Sequence, residues 1–248
     1  MNGLYLDLMK RALMNSIYKD PNIAEGWPPE FDEERRANGL DWPRDAHTMI
    51  GLKRLDNIQT CAEQVIRDGI PGDFIETGVW RGGACIFMRA ILKAYQVTDR
   101  FVWVADSFAG LPTPNVEKYP DDEGDQLSTI DFLAVSLETV QGNFRAYGLL
   151  DQQVKFLKGW FRDTLPLAPV ERLALLRLDG DMYESTTDAL VNLYPKLSPG
   201  GYCIIDDYGT FYSCRKAVHD YREAHRIDEP VQEIDSDGVF WQKRAPVQ

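Results

Sequence analysis

Two acidic stretches carry the residue types and spacing that could do chemistry: RLDGD at 177–181 and IIDD at 204–207. Each follows an apolar run that reads as a buried strand, and open α/β sheets bind their ligands at the carboxyl ends of strands. If the two strands are neighbours, Asp179, Asp181, Asp206 and Asp207 converge. Crowded carboxylates repel one another unless a proton or a cation sits between them. A hard divalent cation such as Mg²⁺ prefers carboxylate oxygens and answers that repulsion. The reading assigns Asp179, Asp206 and Asp207 to the metal, and Asp181, free to face a substrate, to proton abstraction; these roles could permute. For any one of them, Asp181 or Asp207 above all, helix capping is the competing explanation. Metal coordination lowers the pKa of a bound hydroxyl, and with Mg²⁺ a nearby base is still useful.

A second constellation is the glycine-rich turn IETGVWRGGAC at 75–85, between a strand and a helix. Gly78, Gly82 and Gly83 allow tight turns and close approach to a ligand. The spacing is not the dinucleotide fingerprint. It resembles the E-x-G-x-x-x-G first motif of methyltransferases, with Glu76 at the strand end and Thr77 next to it. An acid there suits a cofactor bearing an ammonium and a sulfonium group, while Arg81 is open between the cofactor carboxylate and a neighbouring acid. Asp106, followed by Ser107, ends the next strand, where a carboxylate grips ribose hydroxyls. Gly159 and Trp160 in KGWF then offer a backbone contact and a ring face to an adenine; Trp160 reads equally well as core.

These residues need elements to position them. Apolar strands are expected at 73–77, 101–106, 154–158, 172–179 and 201–206, with helices at 83–96, 131–147, 184–195 and 213–225. The alternation predicts a parallel, doubly wound α/β sheet. VQEID (231–235) and VFWQK (239–243) around Ser236-Asp237-Gly238 predict a closing antiparallel hairpin. Five parallel strands closed by an antiparallel pair resemble the class I methyltransferase sheet, Rossmann-like, of order 3-2-1-4-5-7-6. Ahead of it, helices at 3–19 and 46–68 flank a Pro- and Trp-rich segment, 21–45, read as surface wrapping, a lid or a dimer arm. Residues 1–70 are thus a helical extension and 71–248 the catalytic domain.

At 248 residues with 44% hydrophobic content, the chain can bury a large core. A net charge of −12 argues against nucleic acid as a partner. No stretch suits a membrane span, and the N-terminus lacks the pattern of a signal peptide. Four cysteines without paired spacing (61, 85, 203, 214) read as reduced structural thiols of a cytoplasmic protein.

YLDLMKRALMNSIY, AHTMIGLKRLDNIQ, GDFIETGVWRGGACIFMRAILKAY, VWVADSFAGLP, LRLDGDMYEST and LSPGGYCIIDDY together resemble the macrocin O-methyltransferase family, from about Leu4 to Trp241. The resemblance implies an S-adenosylmethionine- and Mg²⁺-dependent O-methyltransferase acting on sugar hydroxyls of glycosylated antibiotics, often as a homodimer. It implies Asp179, Asp206 and Asp207 as metal ligands, Asp181 as general base, and Glu76, Thr77, Gly78 and Asp106 as cofactor contacts. Thr48 and Met49 match residues that close over the cofactor. Segments 21–45 and 109–130 carry no family pattern and are expected to line the acceptor site. Metal-assisted methylation also suits a phenolic or catechol acceptor. A haloacid-dehalogenase-type phosphatase is a more distant rival: Asp179 would be its nucleophile, but it expects that motif on the first strand of the core.

Overall fold

The computed structural model describes residues 2–244. Seven strands form one sheet: β1 Asp73–Thr77, β2 Val102–Asp106, β3 Val154–Lys158, β4 Leu173–Leu178, β5 Leu197–Ile205, β6 Gln232–Glu233 and β7 Val239–Gln242. Their order is β3-β2-β1-β4-β5-β7-β6, with β7 antiparallel to both β5 and β6 and the rest parallel. This is the class I methyltransferase sheet that the strand pattern predicts. The turn before β7 is held by Asp235, whose Oδ1 accepts from the amides of Asp237 (2.9 Å) and Gly238 (2.7 Å).

Among the described residues eight α-helices pack around the sheet: α1 Asn2–Leu13, α2 Glu33–Asn38, α3 Gly51–Arg67, α4 Gly83–Ala94, α5 Leu137–Ala146, α6 Phe161–Thr164, α7 Tyr183–Leu193 and α8 Tyr212–Ala224. Successive strand residues point to opposite faces, so the sheet divides two cores. Phe74, Val104, Leu175 and Ile204 pack with α1, α3, α4 and α5; Ile75, Ala105, Leu176 and Ile205 pack with α7 and α8. Residues 83–92 of α4 are all buried, as suits a helix covered on one side by the sheet and on the other by α1 and α3. Leu6, Met9 and Leu13 of α1 join that core. The buried face of the N-terminal extension is therefore continuous with the core of the sheet.

Helix boundaries shift where backbone geometry intervenes. The first helix ends at Leu13 and not at residue 19: Asn15 and Lys19 take positive φ (50° and 54°), which breaks the α-helical run. The helix expected from 46 begins at Gly51, because Thr48 and Met49 belong to a turn that approaches α4. The helix expected from 131 begins at Leu137, capped by Ser136 Oγ on the Thr139 amide (3.2 Å). Segment 21–45 contains α2 and is tied down by Arg36, which is buried and donates to Asp41 and to the carbonyls of Met14 and Asp20. Among the described residues no helix is long and apolar enough to cross a membrane, and all four cysteines are buried free thiols.

Candidate active site

The site grows out of strand register. Glu76 on β1 sits opposite Arg177 on β4, and Arg177 opposite Ile204 on β5. With side chains alternating, Glu76, Arg177, Asp179 and Asp206 share the face covered by α3 and α4. Leu178 pairs with Ile205, so Asp179 and Asp206 leave adjacent strands side by side. Asp179, Asp206 and Asp207 each present a carboxylate oxygen within 4.8 Å of the other two. Asp181, held at a positive φ of 56°, follows on the turn, and its amide donates to Asp207 Oδ2 (3.1 Å).

Two arginines that the sequence reading did not assign lie among these acids. Arg177, with its side chain fully buried, forms ion pairs with Glu76, Asp206 and, at 2.7 Å, Asp179. Arg54 of α3 reaches Asp206 Oδ2 (2.7 Å), Asp235 Oδ2 (2.9 Å) and Asp237 Oδ2 (3.2 Å). The acids are thus only partly unneutralised. Asp206 is buried, yet Arg177 and Arg54 hold its carboxyl below the usual range. Asp207 is pushed well up by burial and by the neighbouring carboxylates of Asp181, Asp179 and Asp206. Asp179 is raised by burial and Asp206, against the pull of Arg177. Burial, Asp206 and Asp125 push Asp181 up to about 7.

The four aspartates form one end of an open cavity of about 280 Å³. The other end is built by backbone. Asp106 accepts from the Val79 amide at Oδ2 (2.7 Å) and from the Phe108 amide at Oδ1 (2.6 Å), which fixes the carboxylate at the cavity wall. Gly78, at φ 81°, passes so close to β4 that a Cβ there would lie 1.6 Å from the Asp179 carbonyl oxygen. At Gly83 a Cβ would meet the His47 carbonyl (2.3 Å) and Thr48 Cβ (2.6 Å). That close approach sets Thr48 and Met49 on the wall.

The structure brings Thr48, Met49, Glu76, Gly78, Asp106, Ser107, Trp160, Asp179, Asp181, Asp206 and Asp207 to this cavity. Thr77 and Gly159 are not among the residues that line it. Thr77 pairs with Leu178 on the other face of the sheet, its hydroxyl buried without a hydrogen-bond partner. Gly159 donates its amide to the Asp106 carbonyl (2.9 Å). Glu76 is engaged by Arg177 and by the Cys85 thiol (3.0 Å), and burial raises its carboxyl. Among the described residues Arg81 forms no ion pair, although Asp20 and Asp45 lie near enough to act on its charge. It donates to the Ala46 carbonyl (2.8 Å) and lies over Trp80 and Phe132. Phe132 stacks in turn on Trp42 (5.4 Å, 11°), joining segment 21–45 to the β2–α5 connection. An arginine inside the apolar run LALLRL was a usable sign that β4 carries a buried charge; Arg54, in an ordinary amphipathic helix, gave none.

The sheet order is that of the class I methyltransferase fold. The chain matches the macrocin-O-methyltransferase (TylF) family over residues 22–243 and belongs to that family. It is 58% identical over 244 residues to a tetracenomycin-C rhamnosyl 4'-O-methyltransferase of Streptomyces olivaceus, covering 98% of this chain and 93% of that one. It is 56% identical over 248 residues to mycinamicin III 3''-O-methyltransferase of Micromonospora griseorubida, covering 98% and 97%. The solved O-methyltransferase NovP superposes with a TM-score of 0.95 at 54% identity, covering 99% of this chain and all of that one. The calicheamicin methyltransferase CalS11, at 19% identity and a TM-score of 0.63, shares the fold. The phosphatase reading falls with this membership, and Asp179 follows the fourth strand of the sheet, not the first.

Proposed function

We propose that the enzyme transfers a methyl group from S-adenosylmethionine to a sugar hydroxyl of a glycosylated natural product, with Mg²⁺ at the strand-end aspartates. The observation that carries this reading is one cavity with a backbone-fixed Asp106 at one end and the Asp179–Asp206–Asp207 cluster at the other. Asp106, Gly78, Thr48, Met49 and Trp160 line the part suited to the nucleoside and amino-acid portions of the cofactor. The donor set of three hard carboxylates, with Asp207 raised by burial and by its acidic neighbours, fits a divalent cation. When bound, the cofactor supplies an electrophilic sulfonium methyl and the metal lowers the pKa of the acceptor hydroxyl.

The chain's own groups do the rest. Asp181 takes the hydroxyl proton at its carboxylate, and a pKa near 7 suits a base at neutral pH. Arg177 and Arg54 hold Asp206 ionised and fixed. Trp42, Leu127, Leu133 and Phe211 supply apolar wall for the glycoside and exclude water. The relatives that act on tetracenomycin and mycinamicin glycosides favour a sugar over a catechol. Leu4 and Tyr18, 81% and 84% exposed, offer apolar surface for a homodimer. The unpaired thiols suit a cytoplasmic enzyme.

Calorimetric titration of S-adenosylhomocysteine, with and without Mg²⁺, tests this reading. Wild type should bind at micromolar concentration, and Asp106→Ala should bind at least about tenfold more weakly, the loss of a charged hydrogen-bonding group. Absence of binding by the wild type in both conditions would sink the proposal.

A further inference from the structure

Between Phe108 and Val140 a single residue is buried: Asp122, 1% exposed, in the long connection from β2 to α5. Its partner is the start of α7, two residues beyond Asp181. The first amides of a helix have no partner within it, and the residue in the capping position here, Met182, has extended geometry (φ −83°, ψ 157°) but no side-chain oxygen to offer. Asp122 supplies both acceptors from 61 and 62 residues away: Oδ1 receives the Tyr183 amide (2.6 Å) and Oδ2 the Glu184 amide (3.0 Å). The Tyr119 ring packs 6.0 Å from that of Tyr183 beside the same joint.

The joint continues into the cavity. The Asp125 amide donates to the Asp122 carbonyl (3.2 Å), and Asp125 Oδ1 accepts the Leu127 amide (2.8 Å). Leu127 lines the cavity, with Leu111 and Leu133 of the same connection. Residues 109–136 hold no fully buried apolar side chain; beyond Phe132, which packs on Trp42 and Trp80, and Val135, which packs on the core, they have little hydrophobic burial to hold them against the protein.

We infer that Asp122 is the positioning residue that docks the 109–136 connection on the start of α7 and so builds the acceptor wall beside Asp181. The inference rests on the methyltransferase reading for the word acceptor, while the docking itself does not. It predicts a local effect, because the cofactor end is held by separate backbone contacts.

Hydrogen exchange on full-length wild type, Asp122→Asn and Asp122→Ala reads the docking directly. Exchange should rise about tenfold across 109–136 and at the Tyr183 and Glu184 amides, as expected for a lost capping carboxylate. Homocysteine-cofactor affinity should stay within about threefold of wild type, since Asp106 and Gly78 are untouched. With mycinamicin III as the glycoside probe, its KM should rise more than that of S-adenosylmethionine. Unchanged exchange across 109–136 in both variants would overturn the inference, as would cofactor and glycoside KM rising together. Wild type that fails to bind S-adenosylhomocysteine would sink the methyltransferase reading instead, and the exchange data would still decide the docking.

Discussion

The two ends of the cavity are held by different physics. At the Asp106 end, backbone amides fix the carboxylate and glycines let chain approach chain. At the Asp179 end, two buried arginines balance an excess of carboxylates, and one aspartate pins a long polar connection. Backbone contacts define a shape that few side-chain changes alter. A charge network is adjustable but exacting, since removing one member leaves the others buried without a partner. The difference separates a rigid end from one whose geometry depends on side-chain balance.

The largest expected effect tests the chemistry of the charged end. Asp181→Asn should lower kcat by a factor on the order of 10²–10⁴, the usual worth of a general base. Homocysteine-cofactor affinity should hardly move. A variant retaining half its turnover would show that this end supplies no base through Asp181. Next comes the balance itself. Arg177→Met should destabilise the protein by about 3–5 kcal/mol, because Glu76, Asp206 and Asp179 lose a shared counter-charge. A melting temperature equal to that of wild type would mean the acids are neutralised some other way. Arg54 is also buried but reaches the edge of the cavity, so Arg54→Met should cost less, about 1.5–3 kcal/mol on the scale of a charged hydrogen bond. Thermal melts of the two variants side by side decide that order.

The smallest effect is a pH slope. Asp181 titrates at about 7, and Asp179 and Asp207 are also raised. Raised carboxyls mean that the folded state binds protons more tightly than the unfolded one. For Asp181 the contribution to stability is therefore present at low pH and lost as pH climbs from the ordinary carboxylate range to about 7, and Asp179 and Asp207 act in the same direction. Mg²⁺ favours the ionised forms and should flatten this slope. Melting curves in EDTA and in Mg²⁺ across that window check it, and parallel curves would argue against a cation among these acids.

Much of the fold was legible because its signals are local and repeated. Continuous apolar strands, glycine turns and the Ser236-Asp237-Gly238 hairpin each report on a few neighbouring residues. The acids of β4 and β5 could be placed together once those strands were taken as neighbours. Arg54 could not, for GLKRLDN looks like any amphipathic helix and its partners lie far along the chain. Nor could Asp122 be told by type from Asp121, Asp125 or Asp131, since only the fold decides which of them meets α7. Periodicity predicts the first helix to residue 19 because it does not report the positive φ of Asn15 and Lys19.

Arg54 also bears on how the molecule is put together in time. Two of its three carboxylate partners, Asp235 and Asp237, lie 181 and 183 residues further on, in the turn that leads into β7. That strand must slot between β5 and β6 after both. Contacts so distant in sequence are slow to form, because loop closure must come before any reward. A chain emerging from the ribosome would hold Arg54 for most of its synthesis without two of the groups that neutralise it. The finished pocket is consequently a late product of folding, locked by the final hairpin, and a chain stopped before residue 235 would have the sheet's older strands without a completed site.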